Sequence, residues 1–158
     1  MFNTSNEISY HASSVLRIAN VLFAAFMGYR SKYDLEIFDA SKRELFKGIE
    51  STGKNKKFTL LEIGVGTGMN FGYYPNGTHL IVIDPNPHFK KYYDENRKKF
   101  SNIKSEEVIV TTGEEMNEIK PNSVNAVVIS HLLCCVNDIP KVLHNIHRVL
   151  VPYRMRCT

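Results

Sequence analysis

The sequence predicts an α/β domain, a parallel sheet wound on both faces by helices. Short apolar runs without polar alternation recur along the chain, which is how strands covered on both faces read. Segments with apolar residues at helical spacing separate them. The first run passes directly into a loop with glycine at alternate positions, TLLEIGVGTGMNF at residues 59–71. That junction is where such sheets take ligands, at the carboxyl ends of their strands.

Taken in order, residues 15–29 are largely apolar but are interrupted by Arg17 and Asn20. They fall short of the roughly 20 apolar residues a spanning helix needs. No basic run precedes them and no A-x-A site closes them, so they do not read as a signal peptide. They read as a helix, either packed as a lid over the domain's active face or lying in a membrane surface. Arg30 and Lys32 follow at once, which suits the cytoplasmic side of a bilayer. Residues 1–33 are set apart on this basis, with 34–158 as the domain proper. Residues 34–50 predict a helix through Leu35, Phe38, Leu45, Phe46 and Ile49, broken by the polar run 51–55.

Strands are predicted at 58–63, 80–83, 107–112 and 124–130, with turns at Pro75-Asn76-Gly77 and Pro121-Asn122-Ser123. A short helix is expected to begin near Gly68, and an amphipathic one to span 87–100 with Pro87 in its first turn. Asn137 or Asp138 caps a last helix in which Ile139, Val142, Leu143, Ile146, Val149 and Leu150 keep helical period.

Composition excludes several functions. At 43% apolar and 23% charged residues over 158 positions, the chain is a globular domain rather than a disordered one. The net charge of +4 comes from short clusters (Lys54, Lys56, Lys57; Lys90, Lys91; Arg97, Lys98, Lys99) that read as solvated faces. Aromatic and basic residues do not alternate as in a nucleic-acid groove, so no nucleic-acid partner is expected. Cys134, Cys135 and Cys157 make no disulfide framework and no C-x-x-C, and no H-x-x-x-H occurs. A reducing compartment and no metal follow, with burial as the default role of Cys134 and Cys135.

The glycine loop is more specific. Gly64 and Gly66 permit a sharp turn and leave no Cβ between the backbone and a ligand. A dinucleotide fingerprint needs glycine or alanine at the sixth position counted from Gly64, where Met69 stands. This argues against a nicotinamide-binding oxidoreductase. No G-K-[ST] follows, so a phosphate loop is excluded as well. What stands is an acid, Glu62, followed by Gly64, Gly66 and Gly68. Asp84 ends the second strand in LIVIDPN, roughly 20 residues beyond the first glycine, where a carboxylate meets ribose hydroxyls. Its alternative is a turn aspartate before Pro85.

E-x-G-x-G-x-G followed by a strand-ending acid resembles the class I S-adenosylmethionine-dependent methyltransferases, which have a Rossmann-like sheet. The likeness is closer to their alkyl-thiol S-methyltransferase branch. It runs through SKRELF, LLEIGVGTGMNF, YYPNG, IDPNPHF, GEEM, NSVNAVV and HRVL, between residues 41 and 150. The resemblance implies S-adenosylmethionine as cofactor and a small thiol as methyl acceptor. Glu62, Gly64 and Gly66, in the loop that continues to Gly68, would line the methionine end of the cofactor. Asp84 would take the ribose, and Pro85 and Asn86 would flank the adenine. Glu114 would meet the exocyclic amine, unless it is a solvated loop acid. Met116 would touch the ring, unless it is a core methionine. His131, at the end of the fourth strand, would lie beside the reactive methyl. It reads either as a general base, with an ordinary pKa of about 6.5, or as a histidine that only packs at the cofactor.

The branch also carries an amino-terminal membrane anchor, which implies the cytoplasmic surface of the endoplasmic reticulum or of lipid droplets. It continues past RVL-x-P with a glycine pair and further strands, where this sequence reads RVLVPYRMRCT. The C-terminal strands of the class are therefore expected to be missing. The fourth strand is expected at a sheet edge that invites a partner. The alternative function is a non-catalytic cofactor-binding half-domain acting through that edge.

Overall fold

The computed structural model describes residues 4–52 and 58–152. Four strands, β1 (Thr59–Ile63), β2 (Thr78–Ile83), β3 (Ile103–Ile109) and β4 (Ala126–Ile129), form one sheet in the order β3-β2-β1-β4. All three pairings are parallel. The helices are α1 (Thr4–Thr52), α2 (Lys90–Arg97) and α3 (Ile139–Val149). Single 3-10 turns stand at Phe71–Tyr73 and Pro87–Phe89.

Strand β1 is central, and its side chains divide by the two-residue period of a strand. Leu60 joins Phe46 of α1, Phe71, Tyr74, Leu80, Val82 and Tyr93 of α2 in one core cluster. Leu61 and Ile63 join Ile83, Met116, Val124 and Val149 of α3 in the other. Two cores on opposite faces make the sheet doubly wound. The chain leaves β1 toward β2 and β3, then crosses to the other side for β4. This reversal opens a crevice beyond the carboxyl ends of β1 and β4.

Several expectations need correction. The helices expected on either side of residue 33 are one, because the polar residues between them pair along the helix. Arg30 donates to Asp34 one turn on at 3.2 Å, and Ser31 Oγ donates to the Gly28 carbonyl at 2.9 Å. The helix expected from Gly68 is only the 3-10 turn. Pro75 pushes Tyr74 into the extended region (φ −80°, ψ 145°), which stops a helix from propagating. Strand β3 starts four residues before the predicted position and ends at Ile109. As an edge strand it is mostly exposed, so its Glu106 and Glu107 hide it from a search for apolar runs. Its start is tied to α2 by Arg97, which pairs with Glu106 and donates to the Ile103 carbonyl.

Strand β4 is shorter than 124–130 but lies at an edge, as expected. Val124 makes only an isolated bridge to Leu150. Asp138, not Asn137, caps α3, its Oδ1 accepting from Lys141 N at 2.9 Å. The α2 segment begins as the 3-10 turn and its helix ends at Arg97 rather than 100. Lys54, Lys56, Lys57 and Cys157 lie outside the described residues.

Gly68 shows how tightly the loop is packed. Its φ is +76°, and a Cβ there would stand 2.1 Å from the Phe71 ring. Phe71 is fully buried and packs edge-on to Tyr93 and Phe100, a burial contributing on the order of 2–3 kcal/mol. Gly68→Ala is therefore expected to destabilise the fold by about 2–4 kcal/mol, through backbone strain plus overpacking. Urea unfolding of the two proteins measures this, and an unchanged midpoint would contradict the packing described.

Candidate active site

A cavity of about 390 Å³ opens at the carboxyl ends of the strands. Its floor is the glycine loop after β1 and the Asp84-Pro85-Asn86 turn after β2. Residues 111–114 and Ser130 and His131 form its walls, and Asn20, Phe23 and Met27 of α1 cover it. These three α1 residues recur at helical spacing, so one face of the helix meets the site.

The loop takes its shape from left-handed glycines, with φ +73° at Gly64 and +52° at Gly66. Gly64 N donates to the Ile83 carbonyl at 2.8 Å, which pins the loop to the end of β2. A Cβ on Gly64 would lie 2.8 Å from Leu132 Cδ1. Asp84 then closes the arrangement. Its Oδ2 accepts from Gly66 N and its Oδ1 from Asn86 N, both at 2.9 Å. Burial pushes its carboxyl above the ordinary value, while the Asn86 and Gly66 amides pull it back. Each oxygen keeps an acceptor site, so Asp84 both holds the turn and presents two acceptors. Asn86 Oδ1 accepts from His88 N at 3.1 Å, and its Nδ2 donates to the Asn20 carbonyl of α1 at 3.0 Å.

Glu114 lines the cavity, its Oε1 accepting from Asn137 N at 2.9 Å. Burial opposes ionisation of Glu114, yet backbone amides, including that of Asn137, hold its carboxyl below the ordinary value. His131 lines the cavity in a left-handed conformation (φ +54°), uncommon for a residue with a side chain. Its ring lies 6.0 Å from that of Phe38 on α1. Among the described residues no side chain hydrogen-bonds its imidazole, so the orienting partner of an activated base is not in place.

Three expected positions lie elsewhere. Met116 is fully buried in the core beneath the sheet with Leu61 and Ile63. Arg148 draws that loop inward by donating to the Met116 and Ile119 carbonyls. Gly68 supports the loop from behind, against Phe71. Glu62, only 1% exposed, stands behind the cavity rather than on its wall. Strand alternation turns it to the Leu60 face, where Asn70 Nδ2 donates to its Oε1 at 2.7 Å. Asn70 also accepts from Lys42 Nζ of α1 at 2.8 Å and donates to Ser130 Oγ at 3.3 Å. Glu62 Oε2 and Tyr74 Oη are near one another but both lack a partner of hydrogen-bonding geometry. Cys134 and Cys135 are exposed, not buried, because the β4–α3 loop carries them on the surface. Sequence reasoning missed Lys42, Asn70 and Ser130, and offered α1 over the site as one of two readings without naming the residues that face it. Asn20, a polar break in an apolar helix, was the one local signal.

Residues 61–153 match a family model described as a methyltransferase domain. The chain belongs to the class I methyltransferase family. It is 40% identical over 115 residues to thiol S-methyltransferase TMT1B of Homo sapiens, covering 72% of this chain and 47% of that protein. It is 35% identical over 136 residues to thiol S-methyltransferase TMT1B of Rattus norvegicus, covering 85% and 56%. The chain thus spans about half the length of the curated relatives it matches. A solved structure from Methanococcus maripaludis, assigned to the S-adenosyl-L-methionine-dependent methyltransferases, superposes with TM-score 0.64 at 16% identity. The superposition covers 81% of this chain and 57% of that one. That likeness establishes the fold.

The methyl donor of the class I methyltransferases is S-adenosylmethionine. The residues present fit it: no Cβ at Gly64 or Gly66 where they face the cavity, an Asp84 carboxylate with open acceptor sites and, among the described residues, no lysine on the cavity wall. Among the described residues no group of three or more His, Cys, Asp or Glu is placed to hold a metal.

Burial pushes the Glu62 carboxyl up to about 7, against the pull of Tyr74, Asn70 and Lys42. Between the ordinary value and that one, the folded chain holds a proton that the unfolded chain has released, so stability falls as pH rises through this window. Raising pH from 5 to 8 is expected to cost up to about 3 kcal/mol through this group, and Glu62→Gln to remove that slope. Urea midpoints of both proteins at the two pH values test it; parallel losses would place the titration elsewhere.

Proposed function

We propose that this chain is an S-adenosylmethionine-dependent methyltransferase acting on a small thiol. The observation that carries the reading is the Asp84 carboxylate, fixed by two backbone amides with an acceptor site left on each oxygen, beside Gly64 and Gly66, which place no Cβ on the cavity floor. The names of the relatives, thiol S-methyltransferases, support the acceptor class. So does the apolar lining from Phe23, Met27, Leu132 and Val136. The same names favour this reading over a non-catalytic half-domain.

S-adenosylmethionine, when bound, supplies a methyl already activated on a sulfonium. The protein's task is then to align the acceptor and exclude water. Gly64 and Gly66 admit the amino-acid end, Asp84 takes the ribose hydroxyls, and Pro85 and Asn86 flank the base. Glu114 takes its exocyclic amine through the oxygen that Asn137 leaves open. Asn20, Phe23 and Met27 cover the site and keep water out. A thiol with a pKa of about 8.5 is partly ionised near neutral pH, so a strong base is not required. His131 packs on the cavity wall beside the acceptor.

The outward side of α1 carries Val15, Ile18, Leu22 and Phe26, all more than half exposed. No described helix is long and apolar enough to cross a membrane. We infer that this face lies in a membrane surface on the cytoplasmic side, of the endoplasmic reticulum or lipid droplets. The full chain is expected to float with phosphatidylcholine vesicles and a Val15→Ser, Ile18→Ser, Leu22→Ser triple variant to stay behind. Equal flotation would refute this.

Calorimetry tests the central reading. S-adenosylhomocysteine is expected to bind and NAD not to, with Asp84→Ala weakening binding more than about tenfold through loss of charge-assisted hydrogen bonds. A small alkyl thiol is expected to yield its methyl thioether by mass spectrometry. Binding unchanged in Asp84→Ala would refute the ribose assignment, and binding without turnover would refute the activity.

A further inference from the structure

The loop between β4 and α3 places two sulfurs together. Cys134 and Cys135 are both free and exposed, and their Sγ atoms lie 3.6 Å apart. Side chains of consecutive residues diverge in extended backbone. Here the left-handed His131 opens a turn, closed by Cys135 N donating to the Leu132 carbonyl at 2.8 Å. Both thiols are brought to one acceptor, the His131 carbonyl, at 3.5 Å from Cys134 Sγ and 3.9 Å from Cys135 Sγ. Cys135 also lines the cavity beside Leu132 and Val136.

The separation discriminates among uses of such a pair. A disulfide needs Cα atoms about 4.4–6.8 Å apart, whereas consecutive Cα atoms are held at about 3.8 Å, so a bond between these neighbours would be strained. One thiophilic centre bonded to both sulfurs at about 2.3 Å, with a bond angle from near 90° to tetrahedral, holds them roughly 3.3–3.8 Å apart. The observed distance lies in that interval. Structural zinc takes four ligands, and no described set of three or more ligating side chains includes this pair. A trivalent arsenic that already carries one carbon substituent is completed by two thiolates.

We propose that Cys134 and Cys135 form a two-sulfur clamp for a monosubstituted trivalent arsenical at the wall of the cavity. With an arsenoxide, each thiol gives up its proton, the arsenic–oxygen bonds break, two arsenic–sulfur bonds form and one water leaves. Arsenic stays trivalent and no electrons are transferred. The neighbouring Cys134 thiol, with burial, raises the pKa of Cys135. Because Cys135 lines the cavity, the bound group occupies part of that wall.

Phenylarsine oxide is the probe, and intact-mass spectrometry of the full chain needs no catalytic activity. The chain is expected to gain one phenylarsine oxide less one water. The adduct should survive excess 2-mercaptoethanol and be released by 2,3-dimercaptopropanol. Cys134→Ser and Cys135→Ser are each expected to lower the adduct surviving the monothiol by more than tenfold, with unchanged urea midpoints, while Cys157→Ser retains it. Tryptic digestion of the wild-type adduct should leave arsenic on the single peptide that carries both cysteines, a readout independent of how the variants fold. An adduct that the monothiol removes, that persists in Cys134→Ser, or that maps to Cys157 overturns the proposal.

Discussion

One buried amide holds the walls of the cavity together. Asn70, 2% exposed, accepts from Lys42 of α1, and donates to Glu62 at the end of β1 and to Ser130 at the end of β4. Three elements far apart in sequence therefore meet on one side chain. Burial works against both ionised ends of this chain of contacts: it pushes Lys42 down and Glu62 up. Fully satisfied buried networks specify a unique arrangement, whereas leaving a member unpaired is costly. The unpartnered Glu62 Oε2 and Tyr74 Oη mark the part of the network that is still open.

That constraint positions the chemistry without taking part in it. With Asn70 held from below, the chain above it bends through Gly64 and Gly66, and Gly66 N reaches Asp84 at the next strand. The carboxylate is thus oriented by the loop it helps to shape. Asn86 extends the connection to the Asn20 carbonyl. Helix α1 is therefore fixed twice, near its middle over the site and further along through Lys42. Its docking is reinforced where Phe46 stacks on Tyr73, and Tyr73 Oη donates to Asp39 at 2.8 Å.

The same helix faces two environments. Asn20, Phe23 and Met27 cover the cavity, while Val15, Ile18 and Leu22 stand in the open on another side of the helix. A helix apolar on several faces needs more than one apolar neighbour. The low mean hydropathy of α1 as a whole reflects polar positions such as Arg17, Arg30 and Lys42 interleaved with that surface. Covering the site and contacting a second surface are compatible because they use different angular sectors of one cylinder.

The parts legible in the sequence were those set by local rules. Apolar runs located β1 and β2, because strands covered on both faces have no room for polar residues. The alternate glycines announced left-handed backbone, because residues with a Cβ rarely adopt it. Asp84 was legible because strand ends and the spacing from the first glycine are both linear quantities. The rest depended on which distant segment packs against which. Strand β3 was obscured because an edge tolerates charge, and the Met116 loop is held inward by Arg148, 32 residues along the chain. Glu62 went behind the loop because strand alternation, relative to a core formed elsewhere, decides which face is which. Helix α1 over the cavity, the Asn70 junction and the convergence of two thiols on one carbonyl are all long-range or loop-specific results. Sequence by itself determined the fold class and the left-handed bend of the glycine loop after β1, since those follow from backbone sterics and periodicity. Only tertiary packing decided what encloses that loop, since side-chain environments are set by neighbours that the chain order does not name.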